Sequence, residues 1–458
     1  MGISLPPDFR DLMQHQIGNW AAFEAAHQQP PPTSIRINPA KWPAIPDLNR
    51  VPWCQNGFYL PERPRFSMDP LFHAGVYYPQ EAGSMLLDVA LRQLPVKREG
   101  LRVLDLCAAP GGKSTIVLDW LDGDGFLVSN EVIPKRARVL QENMDKWGRC
   151  NRLVSNSDPA QFAKLGPVFD VVVIDAPCSG EGMFRKEPDA LTMWNPEVVE
   201  KCSQRQCGIT GHALQCLKPG GFLIYSTCTY NRRENEEVIQ SIIEKTGAEV
   251  LKLDVPAEWN VETSETGTSF GYRCFPHRTQ SEGFFISVLQ VPENHSEPAF
   301  RRKEKKKIQP SAEVNSVLKG WLKNAERFAA IEHHGETFFL PEATFDFAQH
   351  LSKNIHVLSI GQQAGRVIRN ELIPGGPLAL SSDLHADVLN TIVMTAENAI
   401  AYLSKSTFQV TGHSDGLVLC THRDIPCGWA KIISGKLKNQ WPKEWRILHP
   451  QDAVPVVL

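Results

Sequence analysis

The sequence predicts an α/β protein built on a doubly wound, largely parallel sheet with helices on both faces. Between residues 101 and 289 apolar runs alternate with amphipathic stretches, the pattern of strands joined by crossover helices. Three of these runs end in short chemistry-bearing loops: Asp105 to Lys113, Asp175 to Cys178, and Ser226 to Thr229. Each lies just past the carboxyl end of a strand, where open α/β sheets place their ligands.

The elements follow in order. Residues 1–95 read as an appended module, with a helix over 8–26, a break at Pro30-Pro31-Pro32 and a strand over 34–38. Tyr77-Tyr78-Pro79-Gln80-Glu81 then leads into a helix ending near Leu94. In the range 96–290, strands are expected over 101–106, 126–129, 152–154, 169–174, 222–225 and 283–289. Helices are expected over 114–121, 134–147, 196–217 and 233–245. A linker over 291–312 carries six basic residues among the seven from Arg301 to Lys307, which reads as a solvated connection or a phosphate-contacting strap.

Residues 313–458 form a second globular α+β region. A helix is expected over 313–330, a strand over 338–340, and further segments over 416–420, 428–433 and 436–446. Between Lys431 and Arg446 the basic side chains are interleaved with Trp441 and Trp445. Cations beside aromatic rings suit RNA, by stacking on bases and neutralising phosphates.

Bulk properties narrow the function classes. The 458 residues exceed one ordinary domain, and 42% hydrophobic with 22% charged residues describe a globular chain. A net charge of -3 argues against wholesale coating by nucleic acid and leaves local basic surfaces open. No basic start precedes an apolar stretch and no run is long enough to span a bilayer, so no membrane partner and a cytoplasmic location are expected. The 11 cysteines include no C-x-x-C pair, which argues against disulfides and structural zinc, and no metal is expected. A monomer is the expected state.

The first loop, Cys107, Ala108, Ala109, Pro110, Gly111, Gly112 and Lys113, reads as a cofactor cradle. Its glycines allow close backbone approach, and the helix that follows offers unpaired N–H groups. A phosphate-binding P-loop would need glycine at position 107, where Cys stands. Glu131 ends the second strand where a ribose diol would lie, and Asp158 follows the third, within reach of an adenine amino group. S-adenosylmethionine fits that set.

Beside it stand Asp175, Cys178 and Cys228. Carbon 5 of a pyrimidine is not nucleophilic until a thiolate adds at carbon 6, and covalent catalysis divides that step into easier ones. Asp175 could hold the cytosine ring nitrogen and amino group, while a nearby cation such as Lys113 would favour a thiolate. This logic leaves open which cysteine is the nucleophile.

Asp105-Leu-Cys-Ala-Ala-Pro-Gly-Gly-Lys113, Asp175-Ala-Pro-Cys-Ser-Gly-Glu-Gly182 and Tyr225-Ser-Thr-Cys-Thr229 resemble the signature motifs of the Nop/Sun family of RNA cytosine-5 methyltransferases. Ser34-Ile35-Arg36-Ile37-Asn38 and Gln80-Glu81 resemble that family's N-terminal module, and the C-terminal basic hairpin resembles the PUA-like extension of its bacterial RsmF-type members. The resemblance implies a Rossmann-like S-adenosylmethionine-dependent domain between RNA-binding flanks. It also implies methylation of carbon 5 of cytidine in RNA, with small-subunit ribosomal RNA or the ribosomal subunit as partner. It makes Cys228 the nucleophile, gives Cys178 the release of the covalent adduct, and carries the cofactor contacts to residues 107–113, Glu131, Asp158 and Asp175. A transfer-RNA methyltransferase and a non-catalytic ribosome assembly factor are the alternatives. A chain ending near Leu289 is expected to keep its cofactor affinity.

Overall fold

The computed structural model describes residues 3–294 and 311–450, so the basic run at 301–307 lies outside the described residues. The N-terminal segment forms α1 (Pro7–Met13), α2 (Trp20–Ala26), β1 (Thr33–Ile37), β2 (Gly57–Leu60), α3 (Pro70–His73), β3 (Tyr77–Pro79) and α4 (Leu86–Arg92). β1 lies between β2 and β3, antiparallel to both. The helix expected over 8–26 is two helices. The Asn19 side chain accepts from the Ala22 N–H at 3.1 Å, and an Asn cap starts a new helix.

The central segment forms β4 (Arg102–Asp105), α5 (Gly112–Leu121), β5 (Phe126–Asn130), α6 (Pro134–Trp147), β6 (Arg152–Ser155), α7 (Pro159–Ala163) and β7 (Phe169–Asp175). It continues through α8 (Pro188–Met193), α9 (Pro196–Cys216), β8 (Leu217–Thr227), α10 (Glu236–Thr246), β9 (Glu249–Val250), β10 (Glu262–Thr266), β11 (Ser269–Cys274) and β12 (Phe284–Gln290). Strands β8, β7, β4, β5 and β6 lie side by side and parallel. β12 runs antiparallel beside β8 and leads to β11 and β10. Chain order reverses between β4 and β7, which opens a crevice at their carboxyl ends. Two apolar cores cover the faces of this sheet, one containing Val103, Val171 and Ile224, the other Leu104, Val172 and Leu223.

The C-terminal segment forms α11 (Ala312–Leu318), β13 (Phe328–His333), β14 (Glu336–Pro341), α12 (Phe345–Ser352), β15 (Val357–Ile360), β16 (Gln362–Ile368) and β17 (Glu371–Pro374). After it come α13 (Gly376–Ala379), β18 (Thr391–Val393), α14 (Ala396–Leu403), β19 (Phe408–Gln409), β20 (Gly416–His422), β21 (Ile425–Ile433) and β22 (Lys436–Asn439). The helix expected over 313–330 stops at Leu318. Gly320 follows, Asn324 takes a left-handed φ of 50°, and the chain turns into β13.

β15 does not belong to a separate body. It pairs antiparallel with β6 and completes the edge of the central sheet. Behind it Phe345, Phe347 and Leu351 enter the core shared with Phe126 and Phe169. The N-terminal and C-terminal segments also share a core, in which Ile35, Phe58 and Leu71 pack with Tyr402, Val418 and Ile432. Trp441 belongs to it and is 1% exposed, with its indole donating to the Trp445 carbonyl at 3.1 Å. Stacking on bases by Trp441 is therefore ruled out, because its ring is already used in packing. Among the described residues no helix is long and apolar enough to cross a membrane.

Candidate active site

The loops after β4, β5, β6, β7 and β8 surround one cavity of about 1000 Å³. Cys107, Ala108, Ala109, Pro110, Gly112, Lys113, Glu131, Asp158, Asp175, Cys178 and Cys228 line it. Gly111 does not. Its φ of 118° is a backbone requirement, turning the chain into α5 where a side chain would be strained.

The cradle is fixed from behind. Ser114 donates to buried Asp105 at 2.7 Å and Ser129 donates to Ser114 at 2.9 Å, tying β4, α5 and β5 together. Burial pushes the Asp105 carboxyl up to about 7. Asn130, fully buried, donates to the Leu106 and Ser157 carbonyls and accepts from Ser155 and Ser157. One side chain thus locks the ends of three adjacent strands. Neither Ser114 nor Asn130 stood out in the sequence, because their partners are distant in the chain.

Glu131 accepts from the Ile133 N–H at 2.9 Å and pairs with Arg136 at 3.0 Å. Asp158 caps α7 by accepting from the Ala160 N–H at 2.8 Å. Both side chains also have local structural roles, yet both face the cavity from neighbouring strand ends. Val132 and Ile133 are 52% and 48% exposed at its wall, an uncommon use of apolar side chains unless a flat ligand covers them. Two carboxylates for hydroxyl and amino groups, an apolar wall, and the N-terminus of α5 fit S-adenosylmethionine. From the N-terminal segment Tyr78, Gln80 and Ser84 complete the rim.

Across the cavity, Lys113 Nζ lies 2.8 Å from Asp175 Oδ2, and Ser226 donates to Asp175 Oδ1 at 3.1 Å. Burial, the largest single influence, would lower the Lys113 ammonium, but the charge and hydrogen bond of Asp175 together with the Cys228 and Asp105 groups carry it above its ordinary value. Lys113 therefore stays charged. Cys178 Sγ and Cys228 Sγ stand 3.1 Å apart, brought together because β7 and β8 are parallel neighbours with Asp175 opposite Ser226. The hydrogen bond to Cys228, reinforced by burial, raises the Cys178 thiol well above its ordinary range. Cys107 is raised too, by burial and then by the Asp105 and Asp175 carboxylates, so it remains a thiol. At this separation one proton can be shared between the two sulfurs.

Further buried polar residues support the two cysteine loops. Glu181 accepts from Tyr230 N–H, Asn231 N–H and the Trp194 indole, and the Gly182 N–H donates to the Cys228 carbonyl at 2.9 Å. Phe9 and Phe23 of the N-terminal helices pack on Phe184, Trp194 and Tyr230 behind these loops. The glutamate of Ser-Gly-Glu-Gly lay within a recognised motif, but nothing local pointed to its partners.

Comparison with known proteins agrees with this arrangement. Residues 93–290 match the family model of 16S rRNA methyltransferase RsmB/F, residues 5–82 the N-terminal domain of 16S rRNA methyltransferase RsmF, and residues 389–447 the methyltransferase RsmF PUA domain. The ribosomal RNA small subunit methyltransferase F of Cronobacter sakazakii is 30% identical over 96% of each chain. That of Aeromonas salmonicida is 37% identical over 60% of each. The crystal structure of a methyltransferase homologue from Pyrococcus horikoshii is 27% identical, with a TM-score of 0.52 over 63% of this chain and 100% of that one. Similarity that extends over nearly the whole length, through both flanks as well as the catalytic loops, places the chain in the RsmF family of S-adenosylmethionine-dependent methyltransferases.

Proposed function

We propose that this protein methylates carbon 5 of a cytidine in small-subunit ribosomal RNA through a covalent adduct on Cys228. The observation that carries the reading is the sulfur pair at 3.1 Å, set in the same cavity as Asp175 and the acids of the cofactor wall. Two thiols at one site exceed what direct methyl transfer to a nitrogen or hydroxyl would need. They suit a reaction in which one sulfur must bond to carbon 6 and later leave.

S-adenosylmethionine, when bound, supplies an electrophilic methyl group on a sulfonium. The protein does the rest. Cys228, its proton given up to solvent, adds to carbon 6 while Asp175, held by Lys113 and Ser226, accepts from the amino group, and the ring nitrogen, which gains charge in the addition, takes a proton from Lys113 through Asp175. Once Cys228 has become a thioether it no longer presents an anion to Cys178. The Cys178 thiol can then lose its proton to solvent, and the resulting thiolate can accept the proton from carbon 5 as Cys228 departs. A base reaches this pocket only if it is turned out of its stack. The division at 1–95, 96–290, 291–312 and 313–458 assigns the RNA grip to the outer segments. It is supported by their common core and by exposed Lys431, Lys436 and Lys438 on the β21–β22 hairpin.

Single substitutions test the roles. Cys228→Ala is expected to abolish methyl transfer with S-adenosylmethionine affinity retained, and Cys178→Ala to accumulate a protein–RNA adduct that survives denaturing electrophoresis. An adduct in Cys228→Ala and none in Cys178→Ala would reverse the assignment. Bisulfite mapping of small-subunit RNA from cells with and without the gene checks the substrate: an unchanged 5-methylcytidine pattern would refute it.

A further inference from the structure

Behind the cysteine loops the turn Asn231-Arg232-Arg233-Glu234-Asn235 places two adjacent side chains on different targets. Glu234 Oε2 accepts from the Ser179 N–H at 2.9 Å, directly after Cys178, and from Gln206 Nε2 at 2.8 Å. Gln206 also donates to the Pro177 carbonyl at 3.0 Å, directly before Cys178. Asn235 treats Cys228 in the same way, accepting from Thr227 Oγ1 at 2.6 Å and donating to the Thr229 carbonyl at 3.1 Å. Each sulfur is thus held from both of its chain neighbours.

The two clamps differ in charge. Asn235 is neutral. Glu234 is fully buried, and the groups donating to its side chain, Ser179, Gln206 and Asn231, are all N–H donors. Three N–H donors on its two oxygens favour the carboxylate form, against burial, which raises the Glu234 carboxyl above its ordinary value.

We propose that Glu234 is a positioning residue for the reaction: its buried carboxylate grips the Cys178 loop and, as a fixed negative charge on that side only, keeps the proton of the sulfur pair on Cys178 and the charge on Cys228. The inference rests on the covalent reading above. It explains how two chemically identical thiols acquire different roles. Cys178 is disfavoured as an anion by Cys228, by burial and by Glu234, while the Arg205 cation, which lines the same cavity, acts in the opposite direction. Tyr225 on β8 faces it, Glu181 stands behind Glu234, and Cys202 and Arg205 lie on α9. The cation Lys113 acts on Cys228 and Asp175.

The test is the pH dependence of iodoacetamide alkylation in the full chain, read for Cys178 and Cys228 separately by peptide mass spectrometry. In Glu234→Gln the Cys178 profile should move down by about one pH unit, equivalent to about tenfold more thiolate at a given pH below it. Glu234→Asp, which keeps the charge, should titrate like the unaltered protein. An unmoved Cys178 profile in Glu234→Gln, or an equal fall in both variants, overturns the proposal. If Glu234→Gln does not fold, the unaltered protein decides, since Cys178 titrating at or below Cys228 is incompatible with it. Alkylation requires no methyl transfer, so failure of the Cys178→Ala adduct test would refute the covalent reading and leave this measurement to be judged by itself.

Discussion

At the scale of single residues, the site separates charge by burial. Asp105 is the clearest case. Its folded carboxyl titrates at about 7, because burial outweighs the Ser114 hydrogen bond, against an ordinary 3.8. The folded state therefore holds a proton that the unfolded chain releases between those values. This contribution to stability is complete below about 3.8 and is lost as pH rises through about 7. Asp105→Asn is neutral throughout. The stability of the unaltered protein relative to that variant should fall by about 2–4 kcal/mol from pH 4 to pH 8, read from urea unfolding at each pH. Parallel curves would show that Asp105 does not titrate in this way. Glu131→Gln should weaken S-adenosylmethionine binding by about 1–3 kcal/mol in calorimetry, and unchanged affinity would leave Glu131 with only its Ile133 and Arg136 partners. Asp105, Glu131 and Asp175 were legible in the sequence because each ends an apolar run at a strand-to-loop junction, and it is their order at successive strand ends rather than any one of them that points to a site. Glu181, Glu234 and Asn235 were not, since their role depends on partners on other loops.

At the scale of elements, the parallel strands read well from continuous apolar runs, while the edges of the sheet did not. β15 is a four-residue strand in a region whose pattern suggested a body of its own. It joins β6 because β6 offers it an open edge and a charged anchor. The guanidinium of Arg152, with no exposed surface, donates to Asp145, to Gln362 Oε1 at 2.9 Å and to Ser359 Oγ at 3.2 Å. Residues from α6, β6, β15 and β16 meet there. Removing one member of a buried ion pair leaves the other charge uncompensated, at a cost of about 3–5 kcal/mol. Arg152→Ala should lose stability of that order in urea unfolding, more than an exposed pair such as Arg233 with Glu200 would. A loss below about 1 kcal/mol would mean that water replaces the guanidinium and that β15 is docked by apolar contacts alone. The helix over 8–26, which is split, and that over 313–330, which stops early, depart from expectation for a simpler reason. Apolar spacing continues across Gly18 and Gly320 even though the backbone does not.

At the scale of the molecule, the flanks are packed onto the catalytic segment and onto each other. This reverses the expectation that a chain ending near Leu289 would keep its cofactor affinity. Such a chain would expose the β6 edge, the Arg152–Asp145 pair, and the apolar faces of Ile35, Phe58 and Leu71 that pack against the C-terminal segment. An uncovered edge strand beside apolar surface promotes association, so it should elute as aggregate and bind S-adenosylmethionine poorly. A monodisperse fragment with unchanged affinity would refute this. Truncation therefore cannot measure the RNA grip, and surface substitutions must. Lys431 and Lys438 stand directly opposite one another in the β21–β22 register, on the face away from buried Ile432 and Leu437. Like charges so placed repel in the free protein, and phosphates lying across the hairpin would relieve that repulsion. Each phosphate contact releases condensed counterions, so the salt dependence of affinity counts such contacts. Lys431→Gln with Lys438→Gln should lower RNA affinity across sequences and flatten the slope of log affinity against log salt by about 1.5 units, with S-adenosylmethionine binding unchanged. An unchanged slope would remove the hairpin from the RNA interface and shift the electrostatic grip to the N-terminal segment or to the basic run at 301–307.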